Sequence, residues 1–181
     1  MARTGVIIST NMKSTHGAER IYDAVCDTDV ENGMVGYLDE LAVGEDVIYT
    51  FKKGTMAGKT LVIVDQPVWD YDTTKRTNQC KDKFSVEVGT VFRVRTLAKG
   101  DEFGINNAAV TTASLGNLDV DAFLTVDNAT GKFVASSSTT ASAQFEAVVL
   151  RKKMQGATLI TGVRTYGYAN EIFEVGVKTI A

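Results

Sequence analysis

The chain contains few of the side chains from which catalytic sites are built. His16 is the single histidine among 181 residues, which excludes any site that needs two imidazoles and disfavours a Ser-His-Asp relay. The nucleophile elbow GxSxG, the phosphate loop GxxxxGK[ST] and the dinucleotide motif GxGxxG are absent from the sequence. Because no acid, base and nucleophile converge, we expect a protein that is not an enzyme.

Residues 54–60, GTMAGKT, come nearest to a phosphate-binding loop. Three residues separate the two glycines where the motif requires four, and the segment lies between two predicted strands instead of opening a helix. We therefore interpret it as a hairpin turn.

Two pairs of carboxylates have a spacing that could suit a cation. Asp119 and Asp121 fall on the same side of a predicted strand, where their oxygens could act as ligands. Asp27 and Asp29 have the same spacing. Such pairs more often form the polar half of an alternating strand, so we expect no metal site and no cofactor.

The two cysteines, Cys26 and Cys80, are far apart in the chain, and neither belongs to a CxxC motif. An isolated cysteine behaves as a small apolar residue, and thiols stay reduced in the cytosol. We expect two free thiols in a protein made in a reducing compartment.

Charge and hydropathy narrow the possible partners. The net charge is −3, and no basic stripe of the kind that binds nucleic acid is present. No window approaches the roughly 18 unbroken apolar residues of a membrane span, and the short run Val6-Ile7-Ile8 is followed by polar residues. We expect a soluble product without a cleaved signal, a nucleic-acid partner or a membrane partner.

The elements that must position any functional residue are predicted to be strands. Sixteen glycines and a single proline accompany many valines and threonines, and short apolar runs recur about every 8 to 12 residues, as in a barrel or sandwich. Turns are predicted at Asn32-Gly33, 42–46, 52–59 and 127–131, strands at 144–150 and 158–168 joined through 151–156, and a closing strand at 172–180.

The clearest strand pattern lies between residues 90 and 105. Two alternating segments, 90–97 and 102–105, flank a glycine turn at 98–101, and this pattern predicts a hairpin. Its buried face would carry Phe92, Val94, Phe103 and Ile105. Its opposite face would present Arg93 and Arg95 to solvent or to a partner.

Residues 1–18 are predicted to form an extended N-terminal arm, and residues 19–181 a single β-domain. The arm contains Val6, Ile7, Ile8 and Met12 among small and polar residues, and we expect these four to contact a partner. The alternative is an ordinary first strand with a frayed end.

Residues 67–80 form a long polar stretch that contains the only proline and the only tryptophan. Long irregular segments inside a compact domain are often functional. Trp69 and Tyr71 are predicted to anchor this stretch to the body of the protein or to a partner.

The order of residues in the central part resembles a family of phage head proteins. The matching positions are Pro67, Tyr71-Asp72, Phe84, Glu87, Gly89, Arg93, Leu97, Lys99-Gly100-Asp101 and Phe103. This pattern is similar to that of capsid decoration, or cement, proteins of tailed bacteriophages, which are encoded beside the major capsid protein and have β-barrel or β-tulip folds. The resemblance touches most of residues 20–150, and the distinctive part is 67–103.

The resemblance implies a compact β-barrel or β-tulip-like sandwich made in the bacterial cytoplasm and carried on the capsid exterior of the virion. Such a protein binds the major capsid protein, bridges neighbouring subunits and can form a homo-oligomer on the capsid. The alternative is a carbohydrate- or host-binding head-fibre or tail module, in which Trp69 and Tyr71 would stack on sugars. A small β-barrel enzyme is a further alternative.

Overall fold

The computed structural model describes residues 3–13, 20–68, 84–140, 142–155 and 170–180. The side chains of 9–12, 154, 155 and 170 are outside this description. Within it, the chain forms strands joined by turns and by two short 3-10 segments, Asn107–Ala109 and Thr112–Asn117. The strands are β1 (Ile7–Lys13), β2 (Ile21–Val25), β3 (Val30–Glu31), β4 (Val35–Leu41), β5 (Ile48–Lys52), β6 (Leu61–Val64), β7 (Ser85–Val86), β8 (Phe92–Thr96), β9 (Glu102–Asn106), β10 (Phe123–Val126), β11 (Phe133–Ser136), β12 (Phe145–Gln155) and β13 (Asn170–Ile180).

These strands form a closed barrel and a separate sheet, which confirms the predicted all-β class. The barrel has the order β2-β5-β4-β6-β8 and closes through the pairing of β8 with β2. The six-stranded sheet has the order β1-β9-β13-β12-β10-β11, and β3 pairs with β7 in a small third sheet. In the barrel β2 and β5 are parallel, and the other pairs are antiparallel.

Strand β6 is the wall that the barrel and the sheet share. All four of its residues are buried, because alternate side chains enter two different cores. Val62 and Val64 belong to the core inside the barrel. Leu61 and Ile63 belong to the core between the barrel and the six-stranded sheet. A continuous apolar run without alternation is therefore the correct sequence for this strand.

The predicted central hairpin is wrong, although the burial of its four apolar residues is right. Phe92 and Val94 on β8 lie inside the barrel, whereas Phe103 and Ile105 on β9 lie in the core against the sheet. β8 pairs with β2 and β6, and β9 pairs with β1 and β13. Alternation reports that one face of a strand is buried, but it carries no information about which strand lies beside it.

The turn between β8 and β9 carries the chain from the barrel to the sheet. Asp101 is fully buried, and its carboxylate accepts a 2.7 Å hydrogen bond from the Ala98 amide. The Gly100 amide donates to the Val177 carbonyl at 2.9 Å, and the Val177 amide donates to the Asp101 carbonyl at 2.8 Å. These bonds fasten the turn to β13, so the chain leaves the barrel at this point instead of folding back onto β8.

Two other predicted turns, at 42–46 and 127–131, join antiparallel neighbours. β4 and β5 are antiparallel neighbours on either side of residues 42–47, and β10 and β11 pair on either side of residues 127–132. In the second turn, Asp127 accepts hydrogen bonds from the Ala129 amide at 3.2 Å and from the Thr130 hydroxyl at 2.6 Å.

Two further turns occur where predicted but do not join paired strands, so the interpretation of residues 54–60 as a hairpin turn is wrong. Gly33 has a φ of 84°, a value that glycine tolerates best, but the turn connects β3 in the small sheet to β4 in the barrel. Residues 53–60 connect β5 to β6, which lie on opposite sides of β4. Met56 in this connection is buried against the sheet, which explains an apolar residue inside an otherwise polar turn.

The last two strands form a long antiparallel ribbon. β12 continues through residues 151–155, which the sequence had suggested as a link, and it pairs with β13 to its end. Arg151 and Lys153 both pair with Glu174, and the hydrogen bond from Lys153, with the charge of Arg151, lowers the pKa of Glu174. The closing strand is confirmed as β13, and the predicted strand at 158–168 lies outside the described residues.

The N-terminal segment is a strand of the sheet, as the alternative interpretation had it, and this corrects the expectation of an extended arm. β1 pairs antiparallel with β9, with Ile7 opposite Ile105. The side chain of Asn106 fixes the residues that precede β1, because it accepts a hydrogen bond from the Val6 amide at 2.9 Å and donates one to the Thr4 carbonyl at 3.0 Å.

Cys26 is a free, buried thiol. Cys80 and His16 lie outside the described residues, so the structure gives no account of either.

Candidate interaction surface

Two of the residues predicted to contact a partner are buried in the structure. Val6 and Ile7 are buried, each with 7% of its surface exposed, so these two side chains stabilise the fold and are not presented to a partner. Ile8 is half-buried beside β9. The side chain of Met12 and the whole of Trp69 and Tyr71 lie outside the described residues.

Arg93 and Arg95, predicted to be solvated or at an interface, are instead engaged with a buried carboxylate. Asp65 follows β6, and only 5% of its side chain is exposed. Arg95 Nε donates to Asp65 Oδ2, and Arg93 Nη2 lies 3.8 Å from the same oxygen. Arg93 Nε also donates to the Asp65 carbonyl at 3.1 Å. This geometry neutralises an internal charge and gives both arginines a structural role, while their predicted contact with a partner stays a prediction.

A second polar pair, Asn32 and Gln66, stabilises the same region. The Gln66 amide donates to Asn32 Oδ1 at 2.8 Å, and Asn32 Nδ2 donates to the Gln66 carbonyl at 3.0 Å. The Arg93 amide donates to Gln66 Oε1 at 2.9 Å. A cavity of about 150 Å³ lies here, lined by Val6, Ile7, Asn32, Asp65, Gln66, Pro67, Val68 and Arg93. The polar groups around it are bonded to one another, as expected of a structural network.

A different surface carries exposed apolar side chains that the fold does not use. In the β4–β5 hairpin, Leu41 is 45% exposed, Val43 104% and Val47 69%. Leu41 lies opposite Tyr49, and the pairing of Asp23 with Ile48 places Tyr22 beside Val47. We call Tyr22, Leu41, Val43, Val47 and Tyr49 the barrel mouth.

The strand register explains why these residues gather at one end of the barrel. Phe51, two residues after Tyr49, and Ala24, two residues after Tyr22, both lie in the barrel core. Since alternate residues share a face, the two tyrosines continue that inner face to the end of the barrel. Their rings meet edge to face, with centroids 5.4 Å apart. The mouth is therefore an aromatic floor bordered by exposed aliphatic side chains.

The hairpin that carries the aliphatic residues is ordered by its own backbone. The Ala42 amide donates to the Ile48 carbonyl at 2.8 Å, and the Glu45 amide donates to the Ala42 carbonyl at 3.0 Å. Gly44 has a φ of 84°, which suits glycine at the apex of the turn. Val43 is thus held outward at the tip.

Charged groups border the mouth unevenly. Glu45 and Asp46 lie in the same turn as Val43 and are exposed. The hydrogen bond between Arg20 and Tyr22 raises the pKa of the Arg20 guanidinium. On the outer face of β4, by contrast, Asp39 accepts from Lys52 at 2.6 Å and from Lys59 at 3.3 Å, and these bonds lower the pKa of Asp39. Within the described residues, the turn at the rim of the mouth is therefore acidic, and Arg20 is the cation beside it.

The other end of the barrel also exposes aliphatic residues, but fewer of them. Val88 is 57% exposed and Val91 43%. The Gly89 amide donates to the Cys26 carbonyl at 3.1 Å, which places this turn where β2 ends, whereas the mouth lies where β2 begins. Because Val88 is an exposed valine at the end of the barrel opposite the mouth, a substitution of Val88 can serve as a control for the same substitution in the mouth.

The sheet carries a separate pocket of about 280 Å³ whose lining has no charged side chain. Hydroxyl and amide groups alternate there with apolar ones. The lining residues are Met56, Thr125, Val126, Asn128, Thr140, Ser142, Ala143, Gln144 and Phe145. Gln144 Oε1 accepts from the Met56 amide at 2.8 Å, which fixes one wall. The chemistry of this lining suits a small neutral polar molecule.

The sequence pattern placed Val43 inside a predicted turn, with Leu41 before it and Val47 in the strand that follows, and it did not identify the three residues as a surface. The available signal was three large aliphatic residues within seven positions beside acidic residues, in a segment that needs none for a turn. The two tyrosines carried no signal of their own, because aromatic residues are ordinary in strands.

Two searches of the described part of the chain found nothing further. It holds no group of three or more His, Cys, Asp and Glu side chains that could bind a metal ion. It also holds no helix that is long and apolar enough to cross a membrane.

Comparison with known proteins gives no relative. No protein-family model, no curated protein and no solved structure matches this chain.

Proposed function

We propose that this protein is a non-enzymatic structural component of a tailed-phage virion, which binds the outer surface of the capsid and stabilises it by bridging major capsid subunits. The barrel mouth is the observation that carries the proposal. Its apolar side chains are exposed in the folded chain, and the two hydrophobic cores are filled by other side chains of the same chain. Exposed apolar groups of this kind, rimmed by polar residues, mark protein interaction sites.

The anatomy of the mouth fits protein recognition. Interface centres are enriched in aromatic residues such as tyrosine and are poor in charged ones, and their rims are polar and solvated. Tyr22 and Tyr49 form the floor, while Val43 stands at the tip of an ordered hairpin with 104% of its surface exposed. A side chain held outward in this way loses little conformational freedom on binding, so its burial contributes to affinity.

A capsid is a favourable partner for so small a surface. The mouth alone is too small for a tight one-to-one complex, but repeated copies on a symmetric lattice gain avidity from many modest contacts. In this proposal the β-sheet body is the rigid bridge, and no catalytic residue is required.

Co-sedimentation with empty capsid shells, assembled from the major capsid protein that this proposal expects to be encoded beside the chain, tests the proposal. The wild-type protein should sediment with the shells. Val43→Asp should weaken binding by on the order of tenfold or more, because a carboxylate would be desolvated at the contact. Val88→Asp, which makes the same change at the other end of the barrel, should bind as the wild type does.

Two results would overturn this proposal. Failure of the wild-type protein to sediment with shells would remove the capsid as partner. Equal loss of binding in Val43→Asp and Val88→Asp would remove the mouth as the contact. Circular dichroism of both variants checks that each keeps the fold.

The hydroxyl- and amide-lined pocket favours a second candidate, a carbohydrate-binding head-fibre or tail module. Neutral hydroxyl and amide groups around apolar walls are the chemistry that recognises a sugar. A glycan array separates the two candidates. Binding that is lost in Asn128→Ala and kept in Val43→Asp would favour the carbohydrate-binding module.

A further inference from the structure

We infer that the surface covering the barrel mouth has an apolar centre and a rim of lysine or arginine side chains. This inference rests on the proposed function, since it specifies the chemistry of the capsid surface that the mouth would meet.

The first step is the state of the acidic residues at the mouth. Many carboxylates of this fold have a cation beside them, as Asp39 has Lys52 and Lys59. Glu45 and Asp46 are exposed, and within the described ranges no cationic group lies at ion-pair distance from either. Among the described residues, no cation competes with a partner for these two carboxylates.

The second step is where these charges lie. Glu45 and Asp46 occupy the positions between Val43 and Val47 in one short turn. A protein that covers both valines must approach both carboxylates within a few ångströms. Desolvating a carboxylate that gains no cationic or hydrogen-bonding partner is costly, and acidic groups on the partner would be repelled.

The third step concerns Arg20, the cationic residue that precedes β2 at this end of the barrel. It is exposed, and its hydrogen bond to Tyr22 raises the pKa of its guanidinium, while no ion pair joins it to Glu45 or Asp46. A partner surface with lysine or arginine side chains would therefore pair with these two carboxylates. A partner surface with an apolar centre would bury Val43 and Val47, and lysine or arginine side chains at its rim would pair with Glu45 and Asp46.

A dependence on ionic strength follows. Charge pairs at the rim of an interface are screened by salt, whereas burial of the valines is not weakened by it. Binding through this mouth should therefore weaken as salt is raised, but it should not vanish.

The test uses the full-length protein and the same empty capsid shells, with salt raised from about 0.05 M to about 0.5 M. Wild-type affinity should fall several-fold across this range. The double variant Glu45→Gln, Asp46→Asn should bind a few-fold more weakly at low salt and lose most of the salt dependence. The charge-reversed pair Glu45→Lys, Asp46→Lys should lose about tenfold or more.

The pair Asp27→Lys, Asp29→Lys is the control for charge, because both residues are exposed and follow β2 at the opposite end of the barrel, and the two changes alter the net charge as much as the test pair does. It should keep both the affinity and the salt dependence of the wild type. A loss of affinity in this control equal to that in the charge-reversed pair would overturn the inference, since the effect would then follow net charge alone.

The outcomes separate this inference from the proposed function. If Val43→Asp loses binding while salt and the Glu45 and Asp46 variants have no effect, the mouth remains the capsid contact and the basic rim is wrong. If the wild-type protein binds no shells at any salt, the proposed function is wrong and the inference falls with it.

Discussion

Arg95 donates through Nε to a carboxylate oxygen of Asp65, and this pair joins the end of β6 to β8 across the barrel wall. Asp65 is 3% exposed. The arginine therefore has a structural role, because it compensates a charge that water cannot reach.

Arg95→Ala should destabilise the fold by about 2 to 4 kcal/mol, since removal of one partner leaves a buried charge without its strongest neighbour. Lys52→Ala, which breaks the exposed pair with Asp39, should cost far less, because water screens that pair. Urea denaturation of both variants measures the difference. Adding Asp65→Asn to Arg95→Ala should restore part of the loss. Equal stability of the two single variants would contradict the assignment.

Phe92→Ala and Phe103→Ala should each cost about 3 to 5 kcal/mol, through lost burial and a residual cavity. Each phenylalanine is 1% exposed, but the two lie in different cores. The milder pair Val94→Ala and Ile105→Val, one change in each core, should therefore be additive to within about 0.5 kcal/mol. A coupling energy well above this value would indicate that the four residues share one core after all.

Removal of residues 1–13 should destabilise the protein, in contrast to the behaviour of a detachable arm. The deletion takes β1 away from β9 and leaves Asn106 without its bonds to Val6 and Thr4. Thermal unfolding followed by circular dichroism checks this. A truncated chain as stable as the full one would show that β1 adds nothing to the sheet.

The β10–β11 turn should contribute stability that depends on pH. The hydrogen bonds from Thr130 and from the Ala129 amide hold the pKa of Asp127 below its ordinary value of 3.8. This contribution is complete above the unfolded-state pKa, and it is lost as the pH falls through the folded-state pKa.

Asp127→Asn should therefore be less stable than the wild type at neutral pH, by less than about 1 kcal/mol because the group is partly solvated. The difference should shrink as the pH drops below about 4. Thr130→Val, which removes the same hydrogen bond, is the matched control and should follow the same trend. A difference that stays constant from neutral to acid pH would count against the turn geometry.

Both cysteines should be reduced. Intact-mass measurement after alkylation under denaturing, non-reducing conditions should find two labels on fresh protein. In the native state Cys26 should react slowly, since it is 5% exposed. Rapid native labelling of Cys26, shown by peptide mapping, would contradict its burial.

The sequence was sufficient for local structure because local structure depends on near neighbours. The alternation at residues 92–96 and 102–105 identified β8 and β9, and the burial of Phe92 and Phe103 followed from it. Turn chemistry at Asn32-Gly33 and at 127–131 placed two turns. These signals arise within about ten residues, so a single chain is enough to reveal them.

The pairing of strands could not be obtained in this way. Nothing in residues 90–105 distinguishes a hairpin from a crossover, since the decision depends on the contact of residues 98–101 with Val177, far away in the chain. The roles of Arg93 and Arg95 depend likewise on Asp65, about thirty residues earlier. The alternating sequence pattern of a strand is the same whether an arginine on its polar face is solvated or is paired with a buried carboxylate.

The order of the strands along the chain has a consequence for biosynthesis. Every strand of the barrel lies between residues 21 and 96, whereas the sheet needs β13, which lies between β9 and β12 and is the last of these strands to be translated. A chain emerging from the ribosome can close the barrel early. β1 is made before β9, its partner in the sheet. Val6 and Ile7 therefore stay uncovered until β9 has been translated, and during this interval they present an apolar surface to chaperones.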